Sequence, residues 1–241
     1  MLSKSAEKLL RKLRSRKYRW QYKMFVAEGP KVVLELLQAG LIPVHLFTTD
    51  PEAIEEFKKE ASVIDEKQLQ LISQLETAHT VLGVFRFPDF TERFSQGILI
   101  GDRIQDPGNL GTMIRTCDWF GIHTLYLTKG SADIYNAKCI QSTMGSITRV
   151  QVMYEEEETI SERLADRKLW VADMQGKDLF KVNAADEPWA LVMGSESHGP
   201  SPFWKEKAEA LTIPKFGGSP VESLNVAQAT GIIVSRLSVK T

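Results

Sequence analysis

The 241-residue sequence predicts an α/β protein: a small N-terminal α/β unit followed by a C-terminal domain built on a mostly parallel sheet. Three observations predict it. In the second half, short apolar runs alternate with helix-length segments, the pattern of strands covered on both faces by crossover helices. A looser alternation of the same kind fills the first 90 residues. Between the two, Arg86-Phe-Pro-Asp-Phe-Thr-Glu-Arg-Phe-Ser-Gln-Gly97 interrupts the periodicity with Pro, Gly and polar residues. The expected organisation is a domain at 1–90, a linker at 91–97 and a domain at 98–241.

Taken in order, residues 1–31 are basic, and Leu2, Leu9, Leu10 and Leu13 partly follow a helical stripe. Pro30–Gly40 reads as a helix with Pro near its start and Gly at its end. Val44–Thr48 is a short apolar strand, Glu52–Glu60 a helix, Ser62–Ile64 a strand, Glu66–Gln74 a helix and Val81–Phe87 a closing strand. The second half supplies strands at Ile98–Gly101, Thr124–Thr128, Arg149–Tyr154, Lys168–Ala172, Ala190–Gly194 and Ala210–Ile213. Helices fall between them, at Leu110–Phe120, Asn136–Thr143, Thr159–Ala165, Pro202–Ala208 and finally Leu224–Leu237. Ligands of such sheets sit beyond the carboxyl ends of the strands, on the loops that follow.

Composition bounds the function. With 43% hydrophobic and 25% charged residues, disordered, collagen-like and disulfide-scaffold classes are excluded. The sequence holds no run of 18 apolar residues, so no membrane span is expected. The charged N-terminus lacks the apolar core of a secretory signal. Two cysteines, Cys117 and Cys139, predict neither disulfides nor a zinc site and make the cytoplasm the default compartment. The formal net charge of −1 hides an asymmetry: residues 1–31 carry ten Lys or Arg against two acids (+8), leaving 20 against 29 (−9) in the rest. Lys12, Arg14, Arg16, Lys17, Arg19 and Lys23, interleaved with Tyr18, Trp20, Tyr22 and Phe25, form a candidate nucleic-acid-binding arm. Cations would neutralise phosphates and aromatics would stack on bases. The competing explanation is a solvated amphipathic helix.

Three loops carry candidate chemistry. The first, Asp102-Arg-Ile-Gln-Asp-Pro-Gly-Asn-Leu-Gly-Thr-Met-Ile-Arg-Thr-Cys-Asp118, leaves a strand and enters a helix. Asn109 fits an N-cap there, and Arg115, about one and a half turns into the helix, could aim a guanidinium at a phosphate or serve in a structural ion pair. The second, Leu191-Val-Met-Gly-Ser-Glu-Ser-His-Gly-Pro-Ser-Pro202, has Glu196 at the crest of a turn of small residues. Its Ser195-x-Ser197-x-Gly199 spacing resembles a hydrolase nucleophile elbow. Pro200 and Pro202 argue against that reading, and so does the absence of any His after His198, which is read as a turn residue. The third, Ile213-Pro-Lys-Phe-Gly-Gly-Ser-Pro-Val-Glu-Ser-Leu-Asn-Val-Ala-Gln-Ala-Thr230, places Ser223 and Asn225 at a helix start, as caps or as a ligand-binding edge. No dinucleotide or Walker fingerprint occurs. His45, His79, His123 and His198 show no ligand spacing, so no metal is expected.

Together these loops resemble the SpoU/TrmH family of RNA ribose 2′-O-methyltransferases, in the SPOUT superfamily. The resemblance is carried by Asp106-Pro-Gly-Asn-Leu-Gly-Thr-Met-Ile-Arg-Thr, by Leu191-Val-Met-Gly-Ser-Glu with Gly199, and by Ile213-Pro with Ser223-Leu-Asn-Val-Ala, in that order over residues 98–241. Residues 1–90, with Phe25-Val-Ala-Glu-Gly29, more loosely resemble the family's L30e-like RNA-binding domain. The resemblance implies S-adenosyl-L-methionine as methyl donor, a C-terminal trefoil knot and a homodimer with the active site near the subunit interface. It implies cofactor contacts at Gly194, Ile213, Leu224, Thr128 and Gly199, and a polar catalytic set of Asn109, Arg115, Glu196, Ser223 and Asn225. Arg115 is the family's proposed base. Because a guanidinium stays protonated below about pH 12, holding a phosphate and stabilising a developing alkoxide is the better role for it.

Three departures stand out. Lys215-Phe216 follows Ile-Pro where a Met and a small residue are usual, and the loop Gly217-Gly-Ser-Pro-Val-Glu222 is longer than in typical members. Leu82 also replaces a common Gln. The expected function is methyl transfer to a ribose 2′-hydroxyl of structured RNA, with ribosomal RNA favoured over transfer RNA because a separate N-terminal recognition domain is present. The alternatives are a tRNA 2′-O-methyltransferase, a non-catalytic RNA-binding relative acting in ribosome assembly, and an enzyme acting on a small molecule.

Overall fold

The computed structural model describes residues 2–50, 52, 61–91, 93, 95–182, 187–218 and 220–239. They divide into two compact units, Met1–Phe90 with Asp133–Thr148, and Thr91–Ala132 with Arg149–Thr241.

In the first unit the basic N-terminus is helical. Ser3 caps α1 (Lys4–Leu13) by accepting from the Ala6 amide at 3.2 Å, and α2 (Arg16–Tyr22) follows after a short turn. The leucine stripe is a core face: Ala6, Leu10 and Leu13 are buried against Val26, Leu69, Ile72 and Leu82. Burying each such aliphatic side chain contributes about 1.5–3 kcal/mol, so α1 is part of the fold rather than a detachable arm. β1 (Met24–Glu28), read from sequence only as the end of the arm, is a strand. It pairs antiparallel with β4 (Val81–Arg86), with Phe25 opposite Phe85. α3 (Pro30–Gln38), β2 (Pro43–Thr48), β3 (Ser62–Val63) and α4 (Glu66–Ile72) complete the unit, and the sheet order is β1-β4-β2-β3. The helix expected at 52–60 lies outside the described residues, Glu52 apart.

A later segment, containing α6 (Ala137–Thr143), belongs to this unit. The buried Arg19 guanidinium, 4% exposed, donates to Asp133 through Nε at 2.7 Å and meets it through Nη2 at 2.6 Å. The indole of Trp20 donates to the other Asp133 oxygen at 3.0 Å.

The second unit is one six-stranded sheet, every neighbouring pair parallel, in the order β10-β8-β9-β5-β6-β7. Its elements are β5 (Gly97–Asp102), α5 (Pro107–Trp119), β6 (Thr124–Leu127), β7 (Gln151–Tyr154), α7 (Glu157–Arg163), β8 (Lys168–Asp178), β9 (Trp189–Gly194), α8 (Pro202–Lys207), β10 (Glu209–Thr212) and α9 (Val226–Ser238). The central strands β5 and β9 are buried at every residue, which is why they read as continuous apolar runs. Helix α5 starts three residues before Leu110 because Asp106, not Asn109, is its N-cap, accepting from the Asn109 amide at 2.8 Å. β8 extends well beyond Ala172, to Asp178. Among the described residues no helix is long and apolar enough to cross a membrane.

Candidate active site

The carboxyl ends of β5, β6 and β9 are locked together by a buried carboxylate. Asp102 accepts from the Thr128 hydroxyl at 2.9 Å, from the Ser201 amide at 2.7 Å and from the Arg103 guanidinium at 3.2 Å. The Thr128 hydroxyl in turn accepts from the Arg103 amide at 2.9 Å, holding Arg103 at φ +56. Fully satisfied buried networks of this kind are rigid, so the loops that start here are placed by the sheet. Thr128 is therefore part of the scaffold and is absent from the cavity wall described below, where a cofactor contact was expected of it.

After β9 the chain folds back sharply on itself. The Gly199 amide donates to the Ser195 carbonyl at 2.9 Å, Gly199 takes a φ of +65, and a Cβ on Gly194 would lie 2.0 Å from the Pro200 nitrogen. Only glycine fits Gly194. Glu196 is carried out at the crest of this turn. Ser195 is buried, and the Ser197 hydroxyl lies 2.8 Å from Nδ1 of its sequence neighbour His198, a contact within the turn itself.

Three of the residues singled out in sequence meet across three loops. Asn225 donates its side-chain amide to Oδ1 of Asn109 at 3.0 Å, and the Asn109 amide donates to Oε1 of Glu196 at 2.7 Å. Asn225 is also the N-cap of α9, its Oδ1 accepting from the Ala227 amide at 3.0 Å and the Gln228 amide at 3.3 Å. Ser223 is exposed just ahead of the cap.

Beside this chain lies a cavity of about 860 Å³ whose wall includes Gly194, Gly199, Ile213 and Leu224, together with Glu196, Ser223 and Asn225. Its size falls within the usual range of about 300–1,000 Å³ for sites that take a small molecule. The wall mixes the apolar side chains of Met193, Leu211 and Leu224 with a few polar groups, which suits an adenosyl group. Sequence reasoning missed Asp173 and Met174 of β8 and Lys205 of α8, which also line the cavity, Lys205 lying 2.7 Å from Oδ2 of Asp173. A carboxylate at the end of an apolar strand, beyond which ligands of α/β sheets bind, was the available signal.

Arg115 is not brought to this group. It is exposed on α5, six residues beyond Asn109 and hence about 240° round the helix. Trp119, one turn further along, is 84% exposed.

The expected RNA-binding residues divide. Arg19 is a buried structural cation, correcting its assignment, and its Nη1 also donates to the Leu13 and Arg14 carbonyls at 2.8 and 2.9 Å. Arg14 is exposed but donates to the Leu71 and Ser73 carbonyls at the end of α4, at 2.9 Å each. Arg16, Lys17 and Lys23 are exposed, and the Lys12 ammonium donates to the Tyr22 hydroxyl at 2.9 Å over the stacked rings of Tyr18 and Tyr22. Phe25 is fully buried and cannot stack on a base. The basic surface is the outer face of α1 and α2, with Lys4, Lys8, Arg11 and Tyr18 along a shallow groove.

Comparison with known proteins matches residues 96–235 to the SpoU rRNA methylase family and residues 6–83 to the MRM3-like substrate binding domain. The 23S rRNA (guanosine(2553)-2′-O)-methyltransferase RlmP of Bacillus subtilis is 30% identical over 233 residues, covering 94% of this chain and 93% of that protein. A TrmH-family protein from Porphyromonas gingivalis is 37% identical with a TM-score of 0.83, covering 98% of each chain. An AdoMet-bound rRNA methyltransferase from Sinorhizobium meliloti is 27% identical with a TM-score of 0.80, covering 98% of this chain and 95% of that one.

Proposed function

The chain belongs to the SpoU rRNA methylase family, and on that premise we propose that it transfers the methyl group of S-adenosylmethionine to a ribose 2′-hydroxyl of ribosomal RNA in the cytoplasm. The observation that carries this reading is the Asn225–Asn109–Glu196 chain of hydrogen bonds at the edge of a cavity of cofactor size. Gly194, Gly199, Ile213 and Leu224 would hold the cofactor, which when bound supplies an electrophilic methyl group.

The task left to the protein is to position a weak neutral nucleophile and to stabilise the charge that grows on its oxygen. Among the described residues, Oε2 of Glu196 accepts no hydrogen bond, so it is available to receive the ribose hydroxyl and orient it, with Oε1 anchored by Asn109. Arg115 holds the neighbouring phosphate and stabilises the developing alkoxide. Its distance round the helix from Asn109 supports a homodimeric site in which Arg115 of the partner subunit completes the set. Ser223 lines the ribose side of the cavity. The N-terminal unit docks the RNA through Lys12, Arg16, Lys17 and Lys23, and such contacts give an affinity that falls steeply with salt.

The test is to incubate the protein with methyl-labelled S-adenosylmethionine and ribosomal RNA from a strain lacking the gene, then map 2′-O-methyls in that RNA. The expected result is one ribosomal site, missing in the deletion strain and restored in vitro. Labelling of transfer RNA alone would shift the substrate to tRNA. Cofactor binding without labelling of either RNA would make this a non-catalytic relative.

A further inference from the structure

Strand β8 has two different edges. On one side it stays in register with β9 from Lys168 opposite Trp189 to Val171 opposite Val192. On the other, Ala210 of β10 pairs with Val171 but the next residue, Leu211, pairs with Lys177. Residues 172–176 are thus set out of the ladder as a wide bulge, a device that re-aims side chains next to functional sites. The bulge is closed tightly. A Cβ on Gly176 would lie 2.5 Å from the Ala210 carbonyl oxygen, and the Thr212 hydroxyl donates to the Met174 carbonyl at 3.1 Å.

The excursion brings Asp173 to the wall of the cavity. Its side chain, 20% exposed, is held from both ends: Oδ2 lies 2.7 Å from the Lys205 ammonium and Oδ1 accepts from the Gln175 amide at 3.0 Å. Burial pushes its carboxyl up, but Lys205 and the Gln175 amide outweigh that and keep it below its ordinary range, so the group is an acceptor at neutral pH. Each carboxylate oxygen can accept more than one hydrogen bond, and Asp173 is among the residues that line the cavity.

We propose that Asp173 receives the ribose hydroxyls of the S-adenosylmethionine bound in this cavity. The inference rests on the cofactor reading given above. The chemistry favours the diol over the cofactor's own ammonium group. Lys205 already balances the charge of Asp173 and would repel a second cation, whereas a charge-balanced carboxylate still accepts strongly from neutral hydroxyls. A carboxylate takes a cofactor ribose in other α/β sheets as well.

Isothermal titration with S-adenosylhomocysteine and its 2′- and 3′-deoxy analogues tests this without any RNA. The wild-type protein is expected to bind the parent compound about tenfold more tightly than at least one deoxy analogue. Asp173→Asn should erase that difference while leaving affinity for the weaker analogue unchanged. Lys205→Gln, which breaks the ion pair but keeps the carboxylate, should retain the difference. Equal loss of affinity for all three compounds in Asp173→Asn would mark the residue as a support of the bulge and overturn the proposal. So would a wild-type protein that binds all three equally well. Failure of the wild type to bind any of them would overturn the cofactor reading itself.

Discussion

The side-chain amide of Asn225 donates to Oδ1 of Asn109 at 3.0 Å, and its direction is set by a helix. Because Oδ1 of Asn225 caps the Ala227 and Gln228 amides, its NH₂ group is left to face Asn109. Asn109 must then present its oxygen to Asn225 and its own NH₂ to Glu196. The start of α9 thus fixes the polarity of a relay that ends on a carboxylate, linking the loops that follow β5, β9 and β10.

Asn225→Asp separates the cap from the relay. Aspartate caps a helix as well as asparagine does, so the melting temperature should stay near that of the wild type. Facing Oδ1 of Asn109, however, it offers an acceptor where a donor is needed. Single-turnover methylation should fall by about tenfold, in keeping with the loss of one hydrogen bond and an acceptor set against an acceptor. Asn225→Ala should lose the cap as well, at a cost of about 1 kcal/mol in stability. A near-normal rate in Asn225→Asp would remove the relay from the mechanism.

Much of this arrangement was legible because it rests on local signals. Gly and Pro flanking short apolar runs marked the strand ends; Glu196 sits in the turn just past one, and Asn109 and Asn225 sit where the helices after two others begin. What stayed hidden depends on partners distant in the chain. Arg19 counts toward a basic N-terminus in any sum of charges, yet its partner Asp133 is 114 residues away and buries it. β1 was masked because its flanks are rich in Lys and aromatics. The bulge at 172–176 exists only because β10 pairs on either side of it, and nothing in the apolar period of Lys168–Ala172 encodes that. Asp106 takes the α5 cap because its carboxylate reaches the Asn109 amide three residues on, a choice between neighbouring capping residues that composition does not make.

Charge changes in α1 and α2 should have opposite consequences at different positions. Arg19→Met leaves Asp133 buried without its cation, and removing one partner of such a pair costs about 3–5 kcal/mol. A large drop in melting temperature is expected, with RNA binding lost through unfolding of the first unit. Lys17→Glu combined with Lys23→Glu alters only exposed positions. The protein should melt normally, bind S-adenosylhomocysteine normally, and bind RNA more weakly with a shallower salt dependence. Unchanged RNA affinity in the double variant would move the docking surface elsewhere.

Glu28 makes stability depend on pH in the first unit. Burial pushes its carboxyl above the ordinary 4.5, opposed only in part by the Ser73 hydroxyl at 2.6 Å and the Gln74 amide at 2.7 Å. The folded protein therefore keeps a proton that the unfolded chain has already released, and stability falls as pH rises from 4.5 through the folded value. Glu28→Gln cannot titrate. Its melting temperature relative to the wild type should improve as pH rises across that window and level off above it. A relative loss with rising pH would contradict the assignment.

The separation of Arg115 from Asn109 on α5 makes a prediction about the assembled enzyme. Arg115→Ala alters an exposed residue, so stability should change by no more than about 0.5 kcal/mol and cofactor binding not at all, while methylation should fall by about a hundredfold. Arg115→Lys should recover little, because a compact ammonium lacks the planar fork that grips a phosphate. If each site takes Arg115 from one protomer and the Asn225–Asn109–Glu196 relay from the other, two inactive variants can complement each other. Refolding an equal mixture of Arg115→Ala and Asn225→Asp chains would give half the dimers as mixed pairs, each with one intact site, and about a quarter of wild-type activity would return. Sites built within a single chain would leave the mixture as inactive as its components, and the single-turnover rate of the mixture separates these two outcomes.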